Sequence, residues 1–131
     1  MSKFPTKKHF CSWLGVAPKN EISGGKVICS GTLKTRNRAG QAFRKAAALV
    51  MRSECAFGVF YRRMKARLGP AQAAVATAHM IARVYYRMFM LKYKVEYAPL
   101  SAQEYEQKYH EQQVKYLKKK AAKLGYQLTP V

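Results

Sequence analysis

A mainly α fold is predicted by three observations. Apolar residues recur at three- and four-residue intervals in successive stretches after Asn37. Helix-boundary signals separate those stretches, at Asn37, Gly69-Pro70, Ser101-Ala102-Gln103-Glu104 and Gly125. The chain has 131 residues, 49% of them hydrophobic, which suits one domain with one modest core. The expected architecture is an irregular N-terminal segment with a Ser-Gly-Gly loop, three packed helices and an extended charged C-terminal helix. Residues 1–100 form the expected domain, and residues 101–131 a charged helical tail.

Residues 1–20 are an irregular approach that ends in the Pro18-Lys19-Asn20 turn signal. Within it, Phe10 to Val16 is expected to form a short helical turn that seats Trp13 and Leu14 in the core. Residues 21–34 contain Gly24, Gly25 and Gly31, too many for a helix. An extended loop or a short irregular hairpin is expected there. Asn37 is a good N-cap, since its side chain can accept from a free N–H of the first turn. The stripe Phe43, Ala46, Ala47, Val50 and Met51 follows it, with Arg38, Arg44, Lys45 and Arg52 off the stripe.

A second helix is predicted over residues 56–68, with Phe57, Phe60, Tyr61, Met64 and Leu68 as its apolar face. Gly69-Pro70 ends it and starts the third helix, residues 70–92, where proline is tolerated in the first turn. That alanine-rich helix is apolar over most of its circumference and should be central, its alanines letting neighbours approach closely. Pro99 stops the segment that follows. Ser101-Ala102-Gln103-Glu104 is a capping-box pattern, and the last helix should run to about Leu124. It is polar, with Tyr105, Tyr109, Val114, Tyr116 and Leu117 as its few large anchors. No internal repeat is visible.

The formal net charge is +19. Residues 1–100 carry +16 of it, nineteen Lys and Arg against Glu21, Glu54 and Glu96, and the remainder carries +3. Self-repulsion of that size disfavours a compact chain and favours association with a polyanion, where neutralised phosphates release counterions. DNA or another nucleic acid is the leading partner and an anionic membrane surface the second. Residues 70–91 approach the length of a membrane span but hold Gln72, His79, Arg83 and Arg87, which are costly in lipid. They are expected to form a buried helix with no membrane role. No secretory leader is visible, so a cytoplasmic location is expected.

All six acidic residues are glutamates. The absence of aspartate excludes a Ser-His-Asp triad and any aspartate-built magnesium site. Cys11, Cys29 and Cys55 are widely spaced and form no zinc pattern with histidine, so reduced thiols in or near the core are expected and no metal site. His9, His79 and His110 are isolated from one another in the sequence.

Ser23-Gly24-Gly25-Lys26 is the most informative stretch. Asn20 stands where a phosphate-binding loop has its first glycine and Val27 follows the lysine, so the stretch is not that loop. Nor is it the Gly-x-Ser-x-Gly of a nucleophile elbow. A hydroxyl on a flexible turn, ringed by Lys26, Lys34, Arg36 and Arg38, suits attack on a phosphodiester, because fixed cations stabilise charge developing on phosphoryl oxygens. It equally suits an ordinary turn on a basic protein, with those cations gripping phosphates and catalysing nothing. Arg44 continues the series. Arg62, Arg63 and Arg67 make a second basic helix face, and Arg83 and Arg87 stand one turn apart on an otherwise apolar helix, where they reach either solvent or phosphate.

Five segments occur in a familiar order. They are Phe10-Cys-Ser-Trp-Leu-Gly-Val-Ala-Pro18, Asn20-Glu-Ile-Ser-Gly-Gly-Lys-Val27, Lys34-Thr-Arg-Asn-Arg-Ala39, Phe60-Tyr-Arg-Arg-Met-Lys-Ala-Arg-Leu-Gly69 and Ala76-Thr-Ala-His-Met-Ile-Ala-Arg-Val-Tyr-Tyr-Arg-Met88. From about Phe4 to Leu128 the chain resembles the C-terminal transposase domain of the insertion-sequence 110/116/902 family. The resemblance implies a prokaryotic mobile-element recombinase that acts on DNA, some members being guided by RNA. It places the family's serine nucleophile on Ser23. It also implies an N-terminal RuvC-like domain with an Asp-Glu-Asp-Asp site for divalent metal, and this sequence holds no counterpart of that site. A truncated chain that needs intact transposase subunits, or a homo-oligomer, is the resulting expectation. A non-catalytic nucleic-acid-binding remnant is the alternative.

Overall fold

The computed structural model describes residues 3–33, 37–90 and 100–131. The order of elements is α1 (Lys7–Trp13), β1 (Pro18–Ser23), β2 (Lys26–Thr32), α2 (Arg38–Leu49), a 3-10 turn (Val50–Arg52), α3 (Ala56–Leu68), α4 (Pro70–Met90) and α5 (Ala102–Lys123). The fold is mainly α, as the sequence predicts, and the glycine-rich segment is the hairpin of its two expected forms.

Local chemistry sets the boundaries. Asn37 caps α2 by accepting from the Ala39 N–H at 2.9 Å. Ser101 accepts from the Glu104 N–H at 3.1 Å while the Glu104 carboxylate accepts from the Ser101 N–H at 3.1 Å, which completes the capping box of α5. Pro70 occupies the first position of α4. The predicted end of this helix at residue 92 and the Pro99 stop lie outside the described residues.

Helices α1, α2 and α3 all pack on α4, which is therefore central. Ala73, Ala78 and Ala82 are fully buried along it, and their short side chains permit the close approach. The main cluster joins Phe10, Cys11, Leu14 and Val16 to Ala47, Ala78, Ala82 and Tyr86. The Tyr86 hydroxyl donates to the Phe4 carbonyl at 2.6 Å and so ties the N-terminal segment to α4. Among the described residues, no helix is long and apolar enough to cross a membrane.

Three expectations about burial need correction. The short first helix begins at Lys7, capped by Thr6, so its buried stripe is Phe10, Cys11 and Leu14. Trp13 lies at the margin, 49% exposed, against the Phe4 ring. On α3 the buried face comprises Ala56, Gly58, Val59 and Tyr61, while Leu68 is exposed. Gly58 draws that side inward, because its missing Cβ lets the backbone meet the carbonyls of Val50 and Ser53. Of the cysteines, only Cys11 is buried; Cys29 is exposed on β2 and Cys55 is half-buried ahead of α3, all three as free thiols.

Candidate nucleic-acid interface

Strands β1 and β2 form an antiparallel hairpin closed by Gly24 and Gly25. Both glycines have positive φ, 57° and 76°, as a two-residue hairpin turn with two left-handed positions requires. Side chains alternate across a strand, so Ser23 shares a face with its cross-strand partner Lys26 and with Glu21 and Lys19. An ion pair between Lys19 and Glu21 at 3.4 Å confirms that arrangement. Ile22 and Val27 are paired on the opposite face, 65% and 56% exposed. A bulge between Glu21 and Ile22 leaves Ile28 as the extra residue of β2.

The Ser23 hydroxyl is thus held at the tip of a solvated hairpin, one residue before the turn. It has no hydrogen-bond partner among the described residues, and no histidine or carboxylate is bonded to it. The nearest cation by pairing is Lys26, whose side chain is on the same face.

The base of the hairpin is built by a grip of α2 on the end of α1. Three successive carbonyls there, of Trp13, Leu14 and Gly15, each meet a group of α2. Asn37 Nδ2 donates to the Trp13 carbonyl at 3.1 Å. Gly40 sits against the Leu14 carbonyl oxygen, where any Cβ would overlap it. The Arg44 guanidinium donates to the Gly15 carbonyl at 2.7 Å. Pro18 leaves this clamped corner as the first residue of β1.

The structure divides the predicted phosphate-binding cations into distinct groups. Lys26 and Arg38 are exposed beside the turn and at the start of α2, and Arg67 is exposed at the end of α3. Lys34 and Arg36 lie outside the described residues. Arg44 is half-buried in the clamp just described. Arg62 donates to the carbonyls of Met51 and Ser53, at 2.9 and 3.2 Å, and holds the turn between α2 and α3. Arg63 lies over the Tyr109 ring at 3.5 Å and the Tyr105 ring at 5.3 Å, and it attaches α5 to α3. These three arginines therefore have an intramolecular role that the sequence did not disclose.

A second basic concavity lies between α1 and α4. One cavity of about 620 Å³ is lined by Lys7, Lys8, Cys11, Ser12, Ala17, Pro18, His79 and Arg83. A neighbouring one of about 620 Å³ shares Lys7 and Arg83 and adds Arg87. Burial and the Arg83 charge hold the His79 imidazole below its usual range, and burial pushes the Cys11 thiol up. Nothing in the sequence distinguishes the basic pair Lys7-Lys8 from the other lysines, because its place in the groove depends on α1 packing against α4. Among the described residues, no group of three His, Cys or Glu side chains could hold a metal ion.

Comparison with family models gives a match over residues 1–62 to the Transposase IS116/IS110/IS902 family. No curated protein and no solved structure matches the chain. The matched residues include α1, the clamp, the whole hairpin with Ser23, α2 and the first half of α3. Over these residues, just under half of its length, the chain is similar to the Transposase IS116/IS110/IS902 family.

Proposed function

We propose that the chain is a DNA-binding transposase domain in which Ser23 is the nucleophile of strand exchange. The observation that carries this reading is the placement of Ser23. It stands at the exposed tip of a hairpin inside the family-matched residues, with Lys26 across the turn on the same face.

In the proposed step, Ser23 Oγ attacks a backbone phosphorus. An Oγ–P bond forms and the bond from phosphorus to the leaving sugar oxygen breaks. The serine proton passes to solvent and the leaving oxygen takes up a proton. Attack by the hydroxyl of another strand reverses the sequence and joins new ends. Lys26 and Arg38 are assigned to hold the phosphate, and Lys26 also to offset charge growing on its oxygens. Lys34, Arg36 and Arg67 are assigned to grip of the DNA backbone.

A divalent metal has no seat among the described residues, and no step is routed through one. The proposal therefore assigns metal chemistry to intact transposase subunits, with which this chain would act at the DNA of its host cell, some complexes including a guide RNA. The exposed apolar residues Tyr116 and Leu117 on α5 suit contact with such a subunit or a second copy.

A second reading, binding without chemistry, is favoured by the Ser23 hydroxyl having no base bonded to it. One experiment separates the two. The chain is incubated with element-end DNA and an intact homologous transposase, and run on a denaturing gel. A protein–DNA adduct that disappears in Ser23→Ala is expected. DNA binding with no adduct in either protein would establish the binding-only reading.

A further inference from the structure

We propose that the groove between α1 and the middle of α4 seats the sugar–phosphate backbone of DNA through Lys7, Lys8 and Arg83. The proposal rests on the chain being a DNA-binding protein. It does not depend on Ser23 being reactive.

Three features set this groove apart from the other basic surfaces. First, its cations are uncommitted. Lys7, Lys8 and Arg83 are exposed and make no hydrogen bond or ion pair with another described residue, whereas Arg44, Arg62 and Arg63 are bound to carbonyls or rings. Secondly, they converge. Lys7 and Arg83 line both adjoining cavities, and Arg87 extends the row by one helical turn. No described lining residue is a carboxylate, so nothing within the groove neutralises them. Like charges crowded into one concavity repel unless a polyanion occupies it, and a low-dielectric wall focuses their field outward. Thirdly, Cys11, Ala17 and Pro18 give the groove an apolar wall, and its only uncharged polar side chains, Ser12 and His79, carry no negative charge to offset the cations.

The groove also has a defined relation to the hairpin. Pro18 lines it and begins β1, and Ser23 ends the same strand. Five steps of extended chain span at most about 17 Å at ~3.3 Å each. Phosphates of one duplex strand advance by ~3.4 Å along the axis, so the Pro18 edge of the groove and the hydroxyl are separated by at most about five nucleotide steps. A backbone held by Lys7, Lys8 and Arg83 would thereby set which phosphate meets the hairpin tip.

The test is a salt series of the full chain on a labelled DNA duplex, read by fluorescence anisotropy. Losing three phosphate contacts lowers the slope of log K against log salt by up to about 3, since each contributes ~0.9. The triple variant Lys7→Gln/Lys8→Gln/Arg83→Gln is expected to show that loss. A charge-keeping triple, Lys7→Arg/Lys8→Arg/Arg83→Lys, should retain the slope. Lys118→Gln/Lys119→Gln/Lys120→Gln removes the same charge from α5 and should change it by less than half as much. Equal losses in the two glutamine triples would overturn the groove, because they would report net charge alone. Displacement of the label by an RNA duplex more readily than by unlabelled DNA would overturn DNA as occupant. Sedimentation with anionic vesicles that DNA does not compete, lost in the groove triple, would assign the groove to lipid instead. An absent Ser23 adduct leaves all these outcomes unchanged, so the two proposals fail separately.

Discussion

Among the described residues, Thr77 is the one buried polar side chain, and its hydroxyl has no hydrogen-bond partner there. An unpaired buried hydroxyl costs about 1–3 kcal/mol of desolvation. Thr77→Val keeps the branched shape and removes that atom, so it should raise the unfolding free energy by ~1 kcal/mol in urea titration. A variant less stable than the parent would mean that the hydroxyl finds a partner in solution. The same scale shows what the sequence could disclose. Asn37 and the Ser101–Glu104 pair were legible because their partners lie two or three residues away. Arg44, Arg62 and Arg63 were not, because their partners lie 29, 9 to 11 and 42 residues away. Sequence spacing ranks a cation by its neighbours along the chain, while its role is set by which distant carbonyl or ring the fold delivers.

Among the elements, α5 is the least integrated. It contains no buried residue, and its described attachment to α3 centres on Arg63 between Tyr105 and Tyr109. Cation–π contacts contribute about 0.5–1 kcal/mol at exposed sites and ~2 when desolvated. Arg63→Ala should therefore free α5 from the body without unfolding it. Faster amide exchange along residues 102–123, with α4 protected as before, is the expected result. Unchanged exchange would show that other contacts hold the helix. The long polar helix itself was legible from its capping box and composition. Its anchoring arginine was not, because Arg63 resembled its neighbours Arg62 and Arg67 in a basic run. The hairpin was legible only as an alternative to a loop. Its glycines exclude a helix, but they leave pairing undecided until a register such as Ser23 with Lys26 is observed.

For the whole molecule, the balance of charge dominates. A net +19 is opposed by a single ion pair among the described residues, Lys19 with Glu21. The fully buried set is small, its largest side chains being Leu14, Val16, Thr77 and Cys11. Self-repulsion therefore acts on a modest core. Screening shortens from a Debye length of ~10 Å at 0.1 M to ~3 Å at 1 M. Thermal unfolding should shift upward by about 4 °C over that range of sodium chloride, which corresponds to ~1 kcal/mol for a domain of this size. A flat or falling Tm would show that the cations are spaced widely enough not to oppose folding. The overall class was legible, since helical periodicity and boundary residues are local. The groove was not, because Lys7 and Arg83 meet only when α1 packs across α4.

The clamp at the end of α1 gives the hairpin the mechanics of a cantilever. One foot rises at Pro18 from the corner where Arg44 and Gly40 hold successive carbonyls, and Asn37, a few residues past the other foot, grips the Trp13 carbonyl of that corner. These contacts restrain the Pro18 foot, and with it Ser23, against the helices. The wander of Ser23 is the elastic bending of two short strands, softened at the bulge beside Ile22. A load applied at the tip, such as a phosphate drawn to Lys26, would deflect the beam without loosening its mounting.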